Sequence, residues 1–308
     1  MDRSLEMSVF VAVVEAGSFV GASEGLRMSK AAVSRHVDAL ESRLGSRLLQ
    51  RTTRRLSLTE EGRLFHQRAK DILSAMNDAE AEVSSRTHQP GGVVRINVPL
   101  SFGISHLAPL WGRFMALYPQ IDLDIVLNDR VVDLVDEGYD LAVRISALPD
   151  SSLVSRKLAA TRMMLCASPG YLQRYGMPLH PAELVGHRVL AYTYLAGRDE
   201  WQFQGPDGDV TVRTRARVYS SNGDTCRAIA LADEGIILQP SFMIGDDLRA
   251  GRLVRLMPEF QALELGIYAV YPTRKQLAFK VRCLIDFLVD AFRDPPWSAV
   301  DAGAVSDG

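Results

Sequence analysis

The sequence predicts a multidomain chain in three successive parts: an all-α/winged helix-turn-helix N-terminal domain, a long linker helix, and a two-lobed α/β C-terminal domain. Three observations carry that expectation. Residues 18–37 read as two short helices joined by a tight polar turn, with a basic hairpin behind them. From Thr59 to Thr87 there is no proline, and Gly62 is the only glycine. Beyond residue 92 the apolar pattern changes to strands alternating with helices, the layout of a mainly parallel sheet.

The first part is expected over residues 1–59. Ser18 is a plausible N-cap for a helix over 19–26 and Ser29 for a helix over 30–44, because a serine oxygen accepts a bond from a free first-turn N–H. Along the second helix Val33, Val37, Leu40 and Leu44 form one apolar stripe at helical spacing. Ser29, Lys30, Ala31, Ser34 and Arg35 fall away from it, as does Asp38. Lys, Ser and Arg in the first turns of an exposed helix suit hydrogen bonds to base edges and phosphates in a major groove. An ordinary amphipathic helix with a solvated face has the same pattern. The segment behind this helix favours DNA. Leu48–Leu49 and Leu56–Leu58 read as short strands of a wing over 48–58, with the basic tip Gln50 to Arg55 between them. From Arg43 to Arg55 the chain holds five arginines and no Asp or Glu. Arg51, Thr52 and Arg54 are placed to meet phosphates or a minor groove.

The linker helix is expected over 60–88. Thr59 can cap it, and Glu60 and Glu61 sit where the helix dipole favours negative charge. Phe65, Ala69, Ile72, Met76, Ala79 and Val83 step by 4, 3, 4, 3, 4, a heptad seam. A helix of this length spans about 40 Å and cannot bury such a seam alone, so a homodimer is expected, although packing on its own chain is the alternative. Two recognition helices then read two half-sites.

Residues 89–92 (Gln-Pro-Gly-Gly) read as a hinge. After it, strands are expected at 93–98, 121–127, 141–145, 164–167, 189–192, 201–203, 210–212, 236–238 and 267–271, and helices at 104–118, 132–137, 169–175, 224–232 and 276–292. Asp136-Glu137-Gly138 and Asp233-Glu234-Gly235 each close a helix before a strand, a faint echo of two similar lobes, with glycine as the left-handed cap. A cleft between two such lobes is a natural small-molecule site beyond the strand ends. The candidates there are Ser101 with Phe102, Asn128 to Arg130, Arg144, Ser146, Ser221 with Asn222, and Gln239. Ser101 with free helix amides, and the donor fork of Arg144, suit an anionic effector. Equally, Arg144 can pair with Asp129 or Asp150, and Ser101 and Asn222 can be plain helix caps. The tail over 294–308, with two prolines and small residues, is expected to be disordered.

Composition agrees with a globular protein of two or three domains: 308 residues, 47% hydrophobic, 23% charged, net charge −2. Attraction to DNA must therefore be local. No signal-peptide run or membrane-length apolar stretch is present, so a cytoplasmic location and no membrane partner are expected. Cys166, Cys226 and Cys283 form no ligand spacing, and the six histidines are scattered, so no metal, cofactor or catalytic set is expected.

Residues 1–90 closely resemble the LysR-type transcriptional regulators. The resemblance is carried by Phe10, Val14 to Phe19, Ser29, Ala32 to Arg35, Leu40–Glu41, Leu44–Gly45, Leu48, Arg51 to Arg54 and Leu58 to Gly62. The later chain fits the same family. Gly21 and Gly25 depart from its usual alanines, Ala31 from its frequent proline and Lys30 from its frequent glutamine. The resemblance implies a periplasmic-binding-protein-like effector domain whose last strand and helix return to the first lobe. That places one lobe at 93–161 with 267–293 and the other at 162–266. It also implies a double-stranded DNA operator, a small-molecule effector, dimers that pair into tetramers, and RNA polymerase as a further candidate partner. The competing reading is a solute-binding or enzymatic α/β protein with an N-terminal helical extension.

On this reading Arg35→Ala costs about 1–3 kcal/mol on operator DNA and relaxes preference at one base. Arg54→Ala weakens all sequences alike and flattens the salt slope. Gel-shift titrations on operator and scrambled duplex separate the two, and unchanged affinity for both variants removes these contacts.

Overall fold

The computed structural model describes residues 2–51, 56–84, 90–147, 153–195, 199–272 and 277–301. The chain forms two compact units, Met1–Gln89 and Pro90–Gly308.

The first unit runs α1 (Arg3–Glu15), α2 (Phe19–Gly25), α3 (Lys30–Leu44), β1 (Leu49–Arg51), β2 (Leu56–Leu58) and α4 (Glu60–Ser84). The serine caps form as expected, Ser18 Oγ accepting from Gly21 N at 3.0 Å and Ser29 Oγ from Ala32 N at 3.2 Å. Val33, Val37 and Leu40 are fully buried against Val9, Phe10 and Val13 of α1. Leu44, the last member of the expected stripe, is 38% exposed, because Gly45 ends the helix in the left-handed region there. The strands β1 and β2 pair antiparallel, Leu49 opposite Leu58 and Arg51 opposite Leu56. Glu41 at the end of α3 holds this hairpin, its Oε1 accepting from Leu48 N at 2.7 Å and Leu49 N at 3.0 Å.

The linker seam needs a correction. Thr59 caps α4 through Gly62 N at 2.9 Å and also donates to Arg47 O at 2.7 Å. This draws the first turns of α4 against the core of the unit. Phe65 packs on Phe10 with ring centroids 5.7 Å apart, and Ala69 is fully buried. These two expected dimer residues are thus used within their own unit. Ile72 and Met76 are 46% and 40% exposed, and the side chains of Ala79 and Val83 lie outside the described residues.

The second unit opens with β3 (Gly92–Val98), α5 (Leu100–Phe102), a π turn (Gly103–Leu107), α6 (Ala108–Leu117), β4 (Ile121–Leu127), β5 (Leu141–Ser146) and β6 (Val154–Ala167). It continues with α7 (Pro169–Tyr175), a 3-10 turn (Pro181–Gly186), β7 (Val189–Tyr192), β8 (Glu200–Gly205), β9 (Gly208–Arg213), β10 (Ala216–Ser220), α8 (Gly223–Leu231), β11 (Ile236–Pro240) and α9 (Ser241–Arg249). The last elements are β12 (Val254–Arg255), β13 (Gln261–Ala262), β14 (Glu264–Tyr271), α10 (Phe279–Ala291) and α11 (Ser298–Asp301). One sheet is ordered β10-β7-β11-β6-β14-β5-β3-β4, and β13-β8-β9 form a smaller one. Ladders β3–β4, β3–β5, β7–β10 and β7–β11 are parallel, while β6 and β14 run antiparallel to their neighbours.

β6 is the link between lobes. Its residues from Val154 to Arg162 pair with β14, and Met163 to Cys166 pair with β11. The boundary drawn at 161/162 lies inside this strand, and the one at 266/267 lies inside β14. The lobe I core gathers Val94, Ile96, Leu141, Ile267 and the α10 face, and two lobe II cores gather around Tyr171 and Trp201 and around Cys226 and Ile237.

Several local expectations change. The helix expected over 132–137 is replaced by turns at residues 134–138, where Asp133 Oδ1 accepts from both Val135 N and Asp136 N and closes a tight loop. The helix expected from residue 104 starts at Leu100 and is interrupted by the π turn. Gly138 does adopt the left-handed conformation, at φ 71°, but in the second echo Asp233 does so instead, at φ 64°. Gly235 is needed for space: a Cβ there would lie 2.8 Å from Arg188 O. The expected hinge overlaps β3, where Gly92 N donates to Gln120 O at 2.8 Å, while Gln89 lies outside the described residues. The expected tail is ordered through Asp301, because Trp297 and Val300 are each only 2% exposed.

Gly62 is a sharp test of the first unit. A Cβ there would lie 2.0 Å from Leu48 O, whereas none would meet anything within 4 Å at Gly25. Thermal melts should show Gly62→Ala destabilised by about 1–3 kcal/mol and Gly25→Ala stabilised by about 0.4–1 kcal/mol. Equal melting temperatures would contradict the packing described.

Candidate nucleic-acid interface and effector cavity

The candidate recognition surface is built by α3. Ser29, Lys30, Ala31 and Arg35 are exposed on one side of it, opposite the buried valines. Ser34 is half-buried and donates to Asp38 Oδ2 at 3.3 Å. Arg51 lies in β1, but its side chain is not described. Thr52 and Arg54, expected at the wing tip, lie outside the described residues. The arginine run splits in one place. Arg43 reaches back to the buried Glu6, with Nη2 2.8 Å from Oε2. Nothing in the local pattern signals this, since the partners are 37 positions apart.

The second unit contains a cavity of about 240 Å³ at the C-terminal ends of β3, β5, β7 and β11. Ser101, Phe102, Asn128, Asp129, Arg144, Ser146 and Gln239 line it, seven of the ten residues expected. Arg130 does not; it is salt-bridged to Glu137 at 2.9 Å. Asn222 does not either. It caps α8, accepting from Thr225 N at 2.9 Å, so the plain cap reading holds there. Apolar walls come from Val131, Ile145, Met163, Met243, Leu263 and Leu265. Gly223 leaves room at one side, where a Cβ would lie 2.7 Å from the Met243 methyl.

The polar groups divide into two sets. Ser101 Oγ donates to Asp224 Oδ2 at 2.5 Å, across from lobe I to lobe II. Asp129 accepts from Leu100 N at 2.9 Å and from the Tyr192 hydroxyl, the same crossing in the other direction. Burial pushes the Asp129 carboxyl above its ordinary range, and Asp224 adds to this. The Tyr192 phenol is also raised, by burial first and then by Asp129. Asp129 stood among the residues expected at the cleft, whereas Asp224 was missed, because an Asp in the first turn of a helix reads as a favourable charge at the helix N-terminus.

The second set is under-satisfied. Arg144 Nη1 donates to Asn97 Oδ1 at 2.6 Å, and neither expected carboxylate partner is among its hydrogen bonds; Asp150 lies outside the described residues. Its Nη2 has no partner, and burial lowers its pKa. Gln239 is 2% exposed and its Nε2 has no partner. A buried donor without an acceptor costs about 1–3 kcal/mol, and both line the cavity.

Residues 5–63 match the family model described as bacterial regulatory helix-turn-helix protein, lysR family, and residues 87–293 match the LysR substrate binding domain. The chain belongs to the LysR family of bacterial transcriptional regulators. It is a DNA-binding regulator whose operator binding answers to a small-molecule effector. An HTH-type transcriptional regulator of Xanthomonas campestris is 39% identical over 91% of this chain and 83% of its own. CrgA of Neisseria meningitidis is 37% identical, covering 94% of this chain and 96% of that one. Among solved structures, CrgA superposes with a TM-score of 0.61 at 35% identity, covering 96% of this chain and all of that one. The Vibrio cholerae virulence activator AphB gives 0.61 at 30% identity, over 93% of this regulator and 98% of that chain. These relatives are regulators, not the solute-binding or enzymatic proteins of the competing reading.

All three cysteines of the regulator are buried. Burial raises each thiol, Cys226 to about 11, so the reactive thiolate is scarce. No group of three or more His, Cys, Asp or Glu among the described residues is placed to hold a metal ion. No helix among them is long and apolar enough to cross a membrane.

Behind the cavity, His106 Nε2 lies 3.0 Å from Phe242 O, which can only accept, so Nε2 carries the proton. Burial lowers the pKa of His106 below its ordinary 6.5, and likewise that of His66 and His187. The unfolded chain then binds more protons as pH drops below about 6.5, so stability falls with pH there. Melting curves at about pH 7.5 and 5.5 should show this loss, and His106→Gln should reduce it. An unchanged difference in that variant would take His106 out of the account.

Proposed function

We propose that this regulator reads its operator with Lys30, Ala31 and Arg35, assisted by Ser29 and Ser34, while Arg51, Thr52 and Arg54 of the wing hold the DNA backbone. It works as a homodimer in the cytoplasm, with the exposed Ile72 and Met76 of α4 at the seam, and dimers pair into tetramers. The exposure of Lys30, Ala31 and Arg35 opposite a fully buried stripe supports the DNA reading.

The effector is a small carboxylate with an apolar body. The observation that carries this is the pair of buried donors, Arg144 Nη2 and Gln239 Nε2, left without acceptors in a cavity walled by methionine, leucine and phenylalanine. An acid supplies acceptors to both, and its body covers the apolar walls. The volume sets the size. A cavity of about 150 Å³ holds benzene, so this one suits roughly ten non-hydrogen atoms. The acids Asp129 and Asp224 are already engaged by hydroxyl and amide donors, which lowers their opposition to an incoming anion.

Calorimetry with a panel of aromatic and branched aliphatic acids of that size should find binders. Arg144→Met should weaken them by about 1.5–3 kcal/mol, and the matching amides or alcohols should bind more weakly than the acids. Binding indifferent to Arg144 would overturn the carboxylate reading while leaving DNA recognition intact.

A further inference from the structure

The segment from Trp297 to Asp301 belongs to neither of these sites. It lies beyond residue 293, where the match to the substrate-binding family model ends. Trp297 is 2% exposed and belongs to the lobe I core. Its ring stands edge-on to Phe102 at 5.8 Å and to Phe242 at 6.0 Å, with His106 at 4.8 Å and Phe292 at 5.9 Å. Phe102 comes from α5 in lobe I and Phe242 from α9, whose Ile244 and Leu248 sit in a lobe II core. Both phenylalanines line the effector cavity from the other side. Trp297 Nε1 donates to Ala160 O in β6 at 2.7 Å, near the point where that strand passes from one lobe to the other.

Three residues later the chain is in lobe II. Val300 is 2% exposed within the core of Ile244 and Leu248. It packs over Gly245, where a Cβ would come within 3.3 Å of a Val300 methyl. Asp301 then closes the segment. Its Oδ1 accepts from Arg162 N at 3.3 Å, its backbone oxygen from Arg162 Nη1 at 3.1 Å, and its carboxylate from the Ser241 hydroxyl. Ser241 in turn shares a hydrogen bond of 2.8 Å with Thr161.

We infer that Trp297–Asp301 is a strap across the two lobes of the effector domain, in which Trp297 is the positioning residue that backs the direct edge-on contact of Phe102 with Phe242, whose ring centroids are 5.2 Å apart at the cavity wall. One end is anchored in each lobe's core, and only two residues separate the anchors, so the segment has no slack to accommodate lobe movement. A shift of the lobes must break one of the two edge-on ring contacts or pull Val300 from its seat. A ligand pressing on Phe102 and Phe242 therefore works against the strap directly, whether or not that ligand is an acid.

Distances between spin labels test it in the full-length protein. The three native cysteines are buried, so labels go selectively to Val135→Cys in lobe I and Val185→Cys in lobe II, positions 43% and 69% exposed. Labelled chain is diluted with unlabelled chain so that only distances within one chain are read. The parent should give one narrow distribution. Trp297→Ala should broaden it and move its mean, Trp297→Phe should largely restore it by keeping a ring against both phenylalanines, and Asp301→Ala should broaden it with every core side chain in place. Should Trp297→Ala fail to fold, Asp301→Ala decides alone. A distribution for folded Asp301→Ala or Trp297→Ala that superimposes on the parent overturns the strap.

Discussion

One fourteen-residue strand, Val154–Ala167, carries ladder hydrogen bonds for both lobes of the effector domain. A strand must satisfy its backbone groups along its whole length, so neither lobe can detach from it without leaving buried N–H and C=O groups unpaired. The lobes are therefore joined by a continuous ladder and not by a loose linker. The partner changes from β14 to β11 near Arg162 and Met163, so any relative motion of the lobes has to bend the strand there. The cavity, the crossing hydrogen bonds of Ser101 and Tyr192, and the aromatic group around Trp297 all sit beside that bend.

Buried carboxylates are handled in a common way in both units. Glu6 has a nearly buried side chain and is met by Arg43, and Glu41 accepts two wing amides. Asp247 is fully buried between Arg227 and Arg252. Burial alone would push its carboxyl up, but the bonds from the two guanidinium groups outweigh this and leave it lowered. Breaking such a pair strands a charge and is costly, even where the pair itself contributes little net stability. These residues tie together elements that are distant in sequence: α1 to α3, α3 to the wing, and α8 to α9.

At the cavity two donors lack such partners: Arg144 and Gln239 each keep one unsatisfied in a space walled by apolar side chains. The π turn at Gly103–Leu107 contributes to the same region. A Cβ at Gly103 would lie 2.3 Å from a Leu127 methyl, so glycine lets this turn pack closely on β4, and the same turn carries His106, 3.0 Å from Phe242 O. Such turns recur at functional sites.

Much of this was legible in the chain because it depends on neighbours a few residues apart. The caps at Ser18, Ser29 and Thr59, the stripe of Val33, Val37 and Leu40, the basic face of Lys30 and Arg35, and the strands at 189–192 and 121–127 follow from local hydrogen bonding and period alone. The same holds for the position of Ser101 just beyond β3 and of Arg144 and Gln239 near the C-terminal ends of β5 and β11. What the chain could not disclose were choices between equally good local alternatives. Phe65 and Ala69 fit a dimer seam and a core helix equally well, and only the approach of Phe10 decided for the core. Arg43 looked like one more basic residue until Glu6 met it. Arg130 and Asn222 had the chemistry of ligand contacts but were taken by Glu137 and the first turn of α8. The tail had the composition of a disordered segment, yet two apolar side chains found seats in cores built by residues far upstream. Local pattern thus determined which elements form and which faces they offer. Long-range packing decided which of those faces were consumed inside the fold and which were left for DNA and ligand, because burial is a property of the whole folded chain and not of any stretch of it.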